Sequence, residues 1–280
     1  MKNLRKIGHR SPDQIREHYE IAKALSNRLR NASKEERRFL YSVLYDEVLR
    51  RVPHHPRLTR KSSPTETNRD VVAQMKFLKV FLKEGDTFLE VGSGDCALSF
   101  EVSKFVKQVF AIDVCDTIGK SAISPENFSL ILSNGTSIPI PENSVNVAYS
   151  HQLMEHLHPD DALDQLRNIY SALTPGGRYI CITPNRLKGP HDISKYFDEI
   201  ATCFHLKEYI NSELSSLFRD AGFSKIRVYA GMKGKYMSCS AMLPIVFEKL
   251  LYALPSCLRR PIARSWPIKS LLGIKLVAIK

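Results

Sequence analysis

Apolar residues recur along the chain with two different periods, and the change from one to the other divides it. Near the start, Ile15, Tyr19, Ala22 and Leu25 stand at helical spacing behind Ser11-Pro12, an N-cap residue followed by a proline at the first helical position. This pattern predicts a helix to about Arg30. Ser33-Lys34-Glu35-Glu36 then has the S-x-x-E capping box, and Phe39, Leu40, Val43, Leu44 and Val48 continue at a spacing of three to four, predicting a second amphipathic helix. Residues 51–68, RVPHHPRLTRKSSPTETN, hold three prolines among polar residues and predict a linker. A third helix is expected from about Arg69 to Leu82, closed by the turn chemistry of Lys83-Glu84-Gly85-Asp86.

From Thr87 the pattern becomes short β-rich runs alternating with helical ones. Strands are expected at Thr87–Val91, Gln108–Asp113, Phe128–Leu132, Val145–Ser150, Arg178–Thr183, Lys225–Tyr229 and Ile274–Ile279. Helices fit at Ala97–Lys104, Asp161–Leu173 and Asn211–Ala221. Such alternation predicts an α/β fold, a parallel sheet covered by helices on both faces. The chain then divides into a helical extension or lid, 1–82, and an α/β domain, 83–280, with a basic amphipathic insertion near 232–270.

Charge changes this picture more than composition does. The formal net charge of +12 is spread as +10 over residues 1–85, −8 over 86–222 and +10 over 223–280. The basic surface therefore belongs to the two ends, which could face an anionic substrate or a membrane. With 43% hydrophobic residues and no apolar run near the roughly 20 needed to span a bilayer, the chain reads as soluble and cytoplasmic. Its basic N-terminus lacks the apolar stretch of a secretory signal. Six cysteines without a C-x-x-C pairing suggest a reducing compartment, with neither disulfides nor structural zinc.

Candidate chemistry begins where the first strand ends. In FLEVGSGD, Phe88 to Asp95, an apolar strand ends in Glu90, and Gly92 and Gly94 allow backbone to approach a ligand closely. About twenty residues on, Asp113 ends the next strand, placed to accept from the hydroxyls of a ribose. These features mark a nucleoside site and leave its kind open, because Gly92-x-Gly94-x-x-Ala97 also satisfies the dinucleotide fingerprint.

Later segments extend the pattern. Asn134-Gly135-Thr-Ser-Ile138-Pro139 follows the third strand, His151-Gln152-Leu-Met-Glu155-His156 follows the fourth, and LTPGGRYICITPN, Leu173 to Asn185, reads as a turn and fifth strand. In this order and spacing the chain resembles the class I S-adenosylmethionine-dependent methyltransferases, specifically the small-molecule, ubiquinone-biosynthesis-like branch, over about Gly85 to Phe223. The resemblance implies a Rossmann-like, mostly parallel sheet of seven strands whose antiparallel last strand, here Ile274–Ile279, inserts beside the fifth. S-adenosyl-L-methionine is then the implied cofactor, with Glu90, Gly92, Gly94, Asp113, Asn134, Gly135 and Ser150 implied to bind it. Asp113 takes the ribose and the Asn134 amide oxygen the adenine amino group. Cys96 stands in place of the family's third glycine.

Methyl transfer asks mainly for alignment of a nucleophile and exclusion of water. A hydroxyl acceptor also needs a base, and His151 and His156 lie where the family faces its substrate. Some members hold a divalent ion with E-x-x-E-H. Gln152 replaces the first carboxylate here, so no metal is expected. His158 should cap or pack in a turn, His54 and His55 fall in the linker, and His205 stays unassigned. Asn185 to Ser194 could form a substrate-recognition loop, and Met242–Trp266 could rest on an anionic bilayer as a peripheral contact.

The expected reaction is methylation of a small-molecule acceptor, anionic or lipid-like, at oxygen. Alternatives are RNA or tRNA methylation, motivated by the basic ends, and a scaffold that binds the cofactor without chemistry. No N/D-P-P-Y/F run follows the fourth strand, which argues against nucleic acid. Nothing in the sequence points to a particular oligomeric state.

Overall fold

The computed structural model describes residues 10–56, 58, 64–116, 124–232, 235–266 and 268–280. The first nine residues and part of the segment read as a linker lie outside them.

The chain opens with α1 (Pro12–Asn31) and α2 (Lys34–Arg51), each begun by a capping box, Ser11 with Gln14 and Ser33 with Glu36. Next, α3 (Pro64–Leu78) starts inside the stretch expected to be a linker, with a proline at its first position, and runs into a 3₁₀ turn at Lys79–Phe81. The α/β part follows as β1 (Thr87–Val91), α4 (Ala97–Val102), β2 (Gln108–Asp113), β3 (Phe128–Leu132), β4 (Val145–His151), α5 (Pro159–Ala172), β5 (Leu173–Thr183), α6 (Asn211–Asp220) and β6 (Lys225–Met232). It ends with β7 (Lys235–Ser240), α7 (Met242–Tyr252), α8 (Ser256–Arg264), α9 (Ile268–Leu271) and β8 (Ile274–Ile279).

All eight strands join in one sheet of order β3-β2-β1-β4-β5-β8-β6-β7. The strands β1 to β5 pair in parallel, and β8 runs antiparallel between β5 and β6. Strand order reverses between β1 and β4. In open α/β sheets that reversal is where a crevice opens beyond the strand ends.

Eight strands replace the seven expected. The addition, β7, pairs antiparallel with β6 at the edge, inside the stretch read as an insertion. Its sequence, KYMSCS, buries neither face, so it lacks the apolar alternation by which a half-buried strand is recognised. Strand β5 also starts earlier than Arg178. Gly176 N–H donates to Lys280 O and Lys280 N–H donates to Gly177 O, so the end of the chain draws the TPGG turn into the sheet.

Among the described residues, apolar side chains pack in two main layers, with a third, smaller cluster of Leu187, Ile210, Leu251, Ala263 and Leu272. One joins α1 and α2 through Ile15, Leu25, Leu29 and Leu44 to α5, α6 and strand residues such as Leu89, Ala148 and Leu276. The other joins α3 and α4 through Met75, Leu78, Leu98 and Val102 to Phe88, Val109, Val147 and Ile180. The N-terminal helices thus share the core of the sheet. They are also tied to it by polar contacts. Arg37 of α2 and Asp161 of α5, both buried, pair through Nε and Nη2 at 2.7 Å each. Arg30 of α1 donates to the carbonyls of Cys203, His205 and Leu206 at 3.1, 2.9 and 2.8 Å, holding the segment that follows β5.

The C-terminal basic segment has one acid, Glu248, and it is buried. Its carboxylate accepts from Asn185 Nδ2, from the backbone and side chain of Asn211 and from Ser212 N–H, so it closes the amino end of α6. No helix among the described residues is long and apolar enough to cross a membrane.

Candidate active site

A cavity of about 1050 Å³ opens beyond the ends of β1, β2 and β4. Its floor is the turn after β1. Gly92 has φ +76°, and a Cβ there would stand 2.9 Å from Leu153 Cδ1, so only glycine leaves both the backbone angle and the ligand approach open. Gly94 N–H donates to Asp113 Oδ2 at 2.8 Å, while Asp113 Oδ1 accepts from Val114 N–H at 2.8 Å and Cys115 N–H at 3.2 Å. One carboxylate thereby ties the glycine turn to the end of β2. Cys96 adopts the left-handed conformation, φ 58°, at the position where the resembling proteins carry a third glycine.

Glu90 is buried beneath this turn and accepts from Ser99 Oγ at 2.5 Å. Burial, helped by Asp95 and Asp113, pushes its carboxyl up to about 8. Gly135 lines the cavity with φ +93°, and a Cβ there would sit 2.7 Å from the Tyr41 ring. Tyr41 is held in turn, its hydroxyl donating to Asp161 Oδ2 at 2.7 Å and accepting from His158 N–H at 2.9 Å. The roof of the cavity comes from α1, α2 and α3, through His18, Tyr41, Tyr45, Asp70 and Gln74.

His151 ends β4, and its exposed side chain lines the cavity. Enclosure by the surrounding protein, with Lys275 nearby, outweighs Asp70 and lowers its pKa to about 4, leaving a neutral imidazole at pH 7. His156 lies one turn further, in the 3₁₀ segment Met154–His156. Its Nδ1 is 3.0 Å from Phe204 O and must donate there. Beside it, Glu155 is fully buried and accepts from Thr183 Oγ1 at 2.7 Å, and burial pushes its pKa up to about 7. His205 packs edge-on against His156 at 4.9 Å between ring centroids. Burial opposes its charge, but Glu208, 2.7 Å from its Nδ1, and Glu155 raise its pKa above the ordinary value.

Residues 89–181 match the methyltransferase domain family. The chain is 27% identical over 140 residues to a probable S-adenosylmethionine-dependent methyltransferase of Mycolicibacterium smegmatis, covering 50% of this chain and 52% of that protein. A probable S-adenosylmethionine-dependent methyltransferase of Mycobacterium tuberculosis is 30% identical over 136 residues, 48% of this chain and 47% of its own length. Residues 89–181 are thus similar to a methyltransferase domain, and the relatives that match this part of the chain are described as probable S-adenosylmethionine-dependent methyltransferases. The chain spans about half the length of the curated relatives it matches. The fold is shared with an S-adenosylmethionine-dependent methyltransferase of Archaeoglobus fulgidus, at a TM-score of 0.51, 16% identity and coverage of 76% of this chain and 94% of that one. It is also shared with Haemonchus contortus phosphoethanolamine N-methyltransferase 1, solved with phosphoethanolamine and S-adenosylhomocysteine, at a TM-score of 0.54, 13% identity and coverage of 89% and 50%.

From the matched residues 89–181 the cavity gathers Glu90, Gly92, Gly94, Asp113, Gly135, His151 and His156. It does not gather Asn134 or Ser150. The Asn134 amide oxygen already accepts from Thr136 N–H, Thr136 Oγ1 and Ser137 N–H, shaping the turn after β3. Ser150 is fully buried and bonded to the Tyr179 hydroxyl at 2.7 Å inside the sheet layer. His158 caps α5, accepting from Asp160 N–H. The loop Asn185 to Ser194 divides. Asn185 and Arg186 brace α7 through Glu248 and Tyr252, while His191, Asp192 and Ile193 line the cavity. His55, expected in a linker, joins His18 at the cavity wall with 4.6 Å between rings. His205 went unassigned in the sequence because about fifty residues separate it from His156, and no spacing rule links two loops that meet only across a sheet.

Proposed function

We propose that the chain transfers the methyl group of S-adenosylmethionine to the oxygen of a small acceptor held in the cavity. The observation that carries this reading is the continuity of the cavity from the Gly92–Gly94 turn and Asp113 to the neutral His151 imidazole. Asp113 would take the ribose hydroxyls, Gly92 and Gly94 the amino-acid end, and Gly135 the adenine edge. The acceptor oxygen attacks the sulfonium methyl carbon, the new C–O bond forms as C–S breaks, and S-adenosylhomocysteine leaves as a neutral thioether. His151 receives the hydroxyl proton. The helices α1, α2 and α3 act as the lid that excludes water.

His151→Gln should lower kcat about 100-fold with cofactor affinity unchanged, the ordinary size of a general-base contribution. Turnover is read as S-adenosylhomocysteine released with a library of hydroxylated acceptors. Unchanged turnover would remove His151 from the reaction, and cofactor binding without turnover on any acceptor would favour the scaffold reading. The pH profile follows from the lowered pKa. Asp70, Lys275 and the stacked Tyr149 are the groups facing His151, and the net effect keeps the base neutral above about pH 4. The acidic limb of kcat/KM should therefore fall near pH 4, well below an ordinary histidine limb.

A lipid-like acceptor is favoured by the exposed apolar face of the C-terminal segment. Met242, Val246 and Leu250 lie on one side of α7, with Leu258 and Trp266 beyond, all at least 47% exposed among basic side chains. An anionic bilayer complements both the apolar face and the charge of +10 over residues 223–280. Co-sedimentation with vesicles containing phosphatidylserine should be lost in Leu250→Glu with Trp266→Glu. Equal recovery in the supernatant with and without vesicles refutes this contact.

A further inference from the structure

We propose that the acceptor of the methyl-transfer reading, on which this inference rests, carries an anionic oxygen group, a carboxylate or a phosphate, and that Lys275 binds it in the part of the cavity next to His151.

The register of the sheet places the two residues. His151 of β4 stands opposite Ile182 of β5, and Ile182 stands opposite Lys275 of β8. Residues in register on neighbouring strands project from the same face, so these three form one row across the sheet, and all of them line the cavity. Two strand spacings set the Cα atoms of His151 and Lys275 roughly 10 Å apart. The row lies on the side of the sheet that α3 covers. Tyr149, two residues before His151 and stacked on its ring, donates from its hydroxyl to Gln74 Oε1 of α3 at 2.8 Å. Phe77 of α3 and Tyr236 of β7, with 4.7 Å between ring centroids, add aromatic walls to the same space. This part of the cavity therefore has a neutral imidazole at one end, apolar surface along its length and an ammonium at the other end. An acceptor that places its hydroxyl on His151 and its body against the rings brings its far end to Lys275.

The charge of Lys275 is not matched by the protein. Its Nζ donates to Gly231 O at 3.3 Å and lies 5.8 Å from the centroid of the Tyr236 ring. An ammonium has three donors, and one carbonyl neither uses them all nor cancels the charge. Among the described residues no carboxylate pairs with it. Asp70 faces His151 from α3 without an ion pair to Lys275, and Glu248, the only acid of residues 223–280, is committed to the amino end of α6. Lys188, which ends the 3₁₀ turn Arg186–Lys188, adds a second such group. Among the described residues its side chain has neither a hydrogen bond nor an ion pair. Burial, with Lys275 and Lys269 nearby, lowers the Lys188 amine to about 8, and burial lowers Lys275 as well. Ammonium groups gathered away from water repel one another, and an anion between them and the base removes that cost.

The test is calorimetry on the full chain saturated with S-adenosylhomocysteine, titrated with benzoate, phenyl phosphate and the neutral benzamide. A hydrogen bond to a charged group gives a preference of about tenfold or more, so at least one of the two anions should bind that much more tightly than benzamide. The tighter of the two assigns the group as carboxylate or phosphate. Lys275→Met keeps the length of the side chain and should remove the preference, and Lys275→Arg should restore most of it. Lys188→Met acts only through its field and should reduce the preference a few-fold. Calorimetry with S-adenosylmethionine on the same variants shows that each is folded. No preference for either anion over benzamide, or a preference that survives Lys275→Met in a folded variant, overturns the proposal. The probes have no hydroxyl to methylate, so they read the anion site whether or not turnover is found, and absence of turnover on every acceptor counts against the methyl-transfer reading alone.

Discussion

Replacing Asp113 by alanine is expected to weaken S-adenosylmethionine binding about a thousandfold, the largest loss from any single change in the cofactor region. Asp113 acts twice. Its two oxygens accept from Gly94, Val114 and Cys115 N–H, so the carboxylate sets the shape of the glycine turn before any ligand arrives. It is also the acid assigned to the ribose hydroxyls. Hydrogen bonds to a charged group are worth about 1.5–3 kcal/mol each, and two of them lost together reach about 4 kcal/mol, or three decades of affinity. Titration calorimetry with S-adenosylmethionine reads this directly. Asp113→Asn keeps one acceptor and should fall between. Unchanged affinity in the alanine variant would mean that the nucleoside lies elsewhere.

Asp161→Ala should have the largest effect on stability, about 3–5 kcal/mol, seen as a fall in Tm of about 10 °C. Both partners of the Arg37–Asp161 pair are nearly inaccessible, at 4% and 2% side-chain exposure. Three donated bonds, two from Arg37 and one from Tyr41, converge on the Asp161 carboxylate, which holds it below the usual carboxylate range against the opposing effect of burial. Alanine leaves the buried Arg37 guanidinium charged, with only Ala32 O at 2.8 Å and the exposed Asp160 carboxylate at 3.7 Å in place of its two bonds to Asp161. The double variant Arg37→Met with Asp161→Leu, which removes both charges, should recover most of the loss. An equal loss in the double variant would show that packing, and not the uncompensated charge, is responsible. Because Tyr41 also rests on Gly135, Asp161→Ala loosens the roof of the cavity as well as the core.

The order of strands and helices was legible in the sequence because each element announces itself locally. Ser11 and Ser33 cap helices through residues three positions away, and β1, β2 and β4 are apolar because both faces are covered. The elements misread are those whose signals come from elsewhere. Strand β7 is held by pairing with β6 and not by burial, the start of β5 is set by the chain's last residue, and α3 begins at a proline within a polar stretch that reads as a linker.

The site divides in the same way. That Gly92 and Gly94 would lie beside Asp113 was legible from spacing, since a glycine turn after one strand and an acid at the end of its parallel neighbour are adjacent by the rules of the fold. Asn134 and Ser150 stood at the right positions in the chain, yet side-chain direction took one into its own turn and the other into the sheet layer. The sequence by itself determined the α/β architecture, the place of the glycine turn and the acid beside it, because those depend on local periodicity and on neighbours in a parallel sheet. Only the tertiary structure decided that His205 and Glu208 meet Glu155 and His156, that Arg37 is buried against Asp161, and that the N-terminal helices roof the cavity. Each of these joins residues more than forty positions apart, where burial and the geometry of several elements choose the partner and no sequence period records the choice.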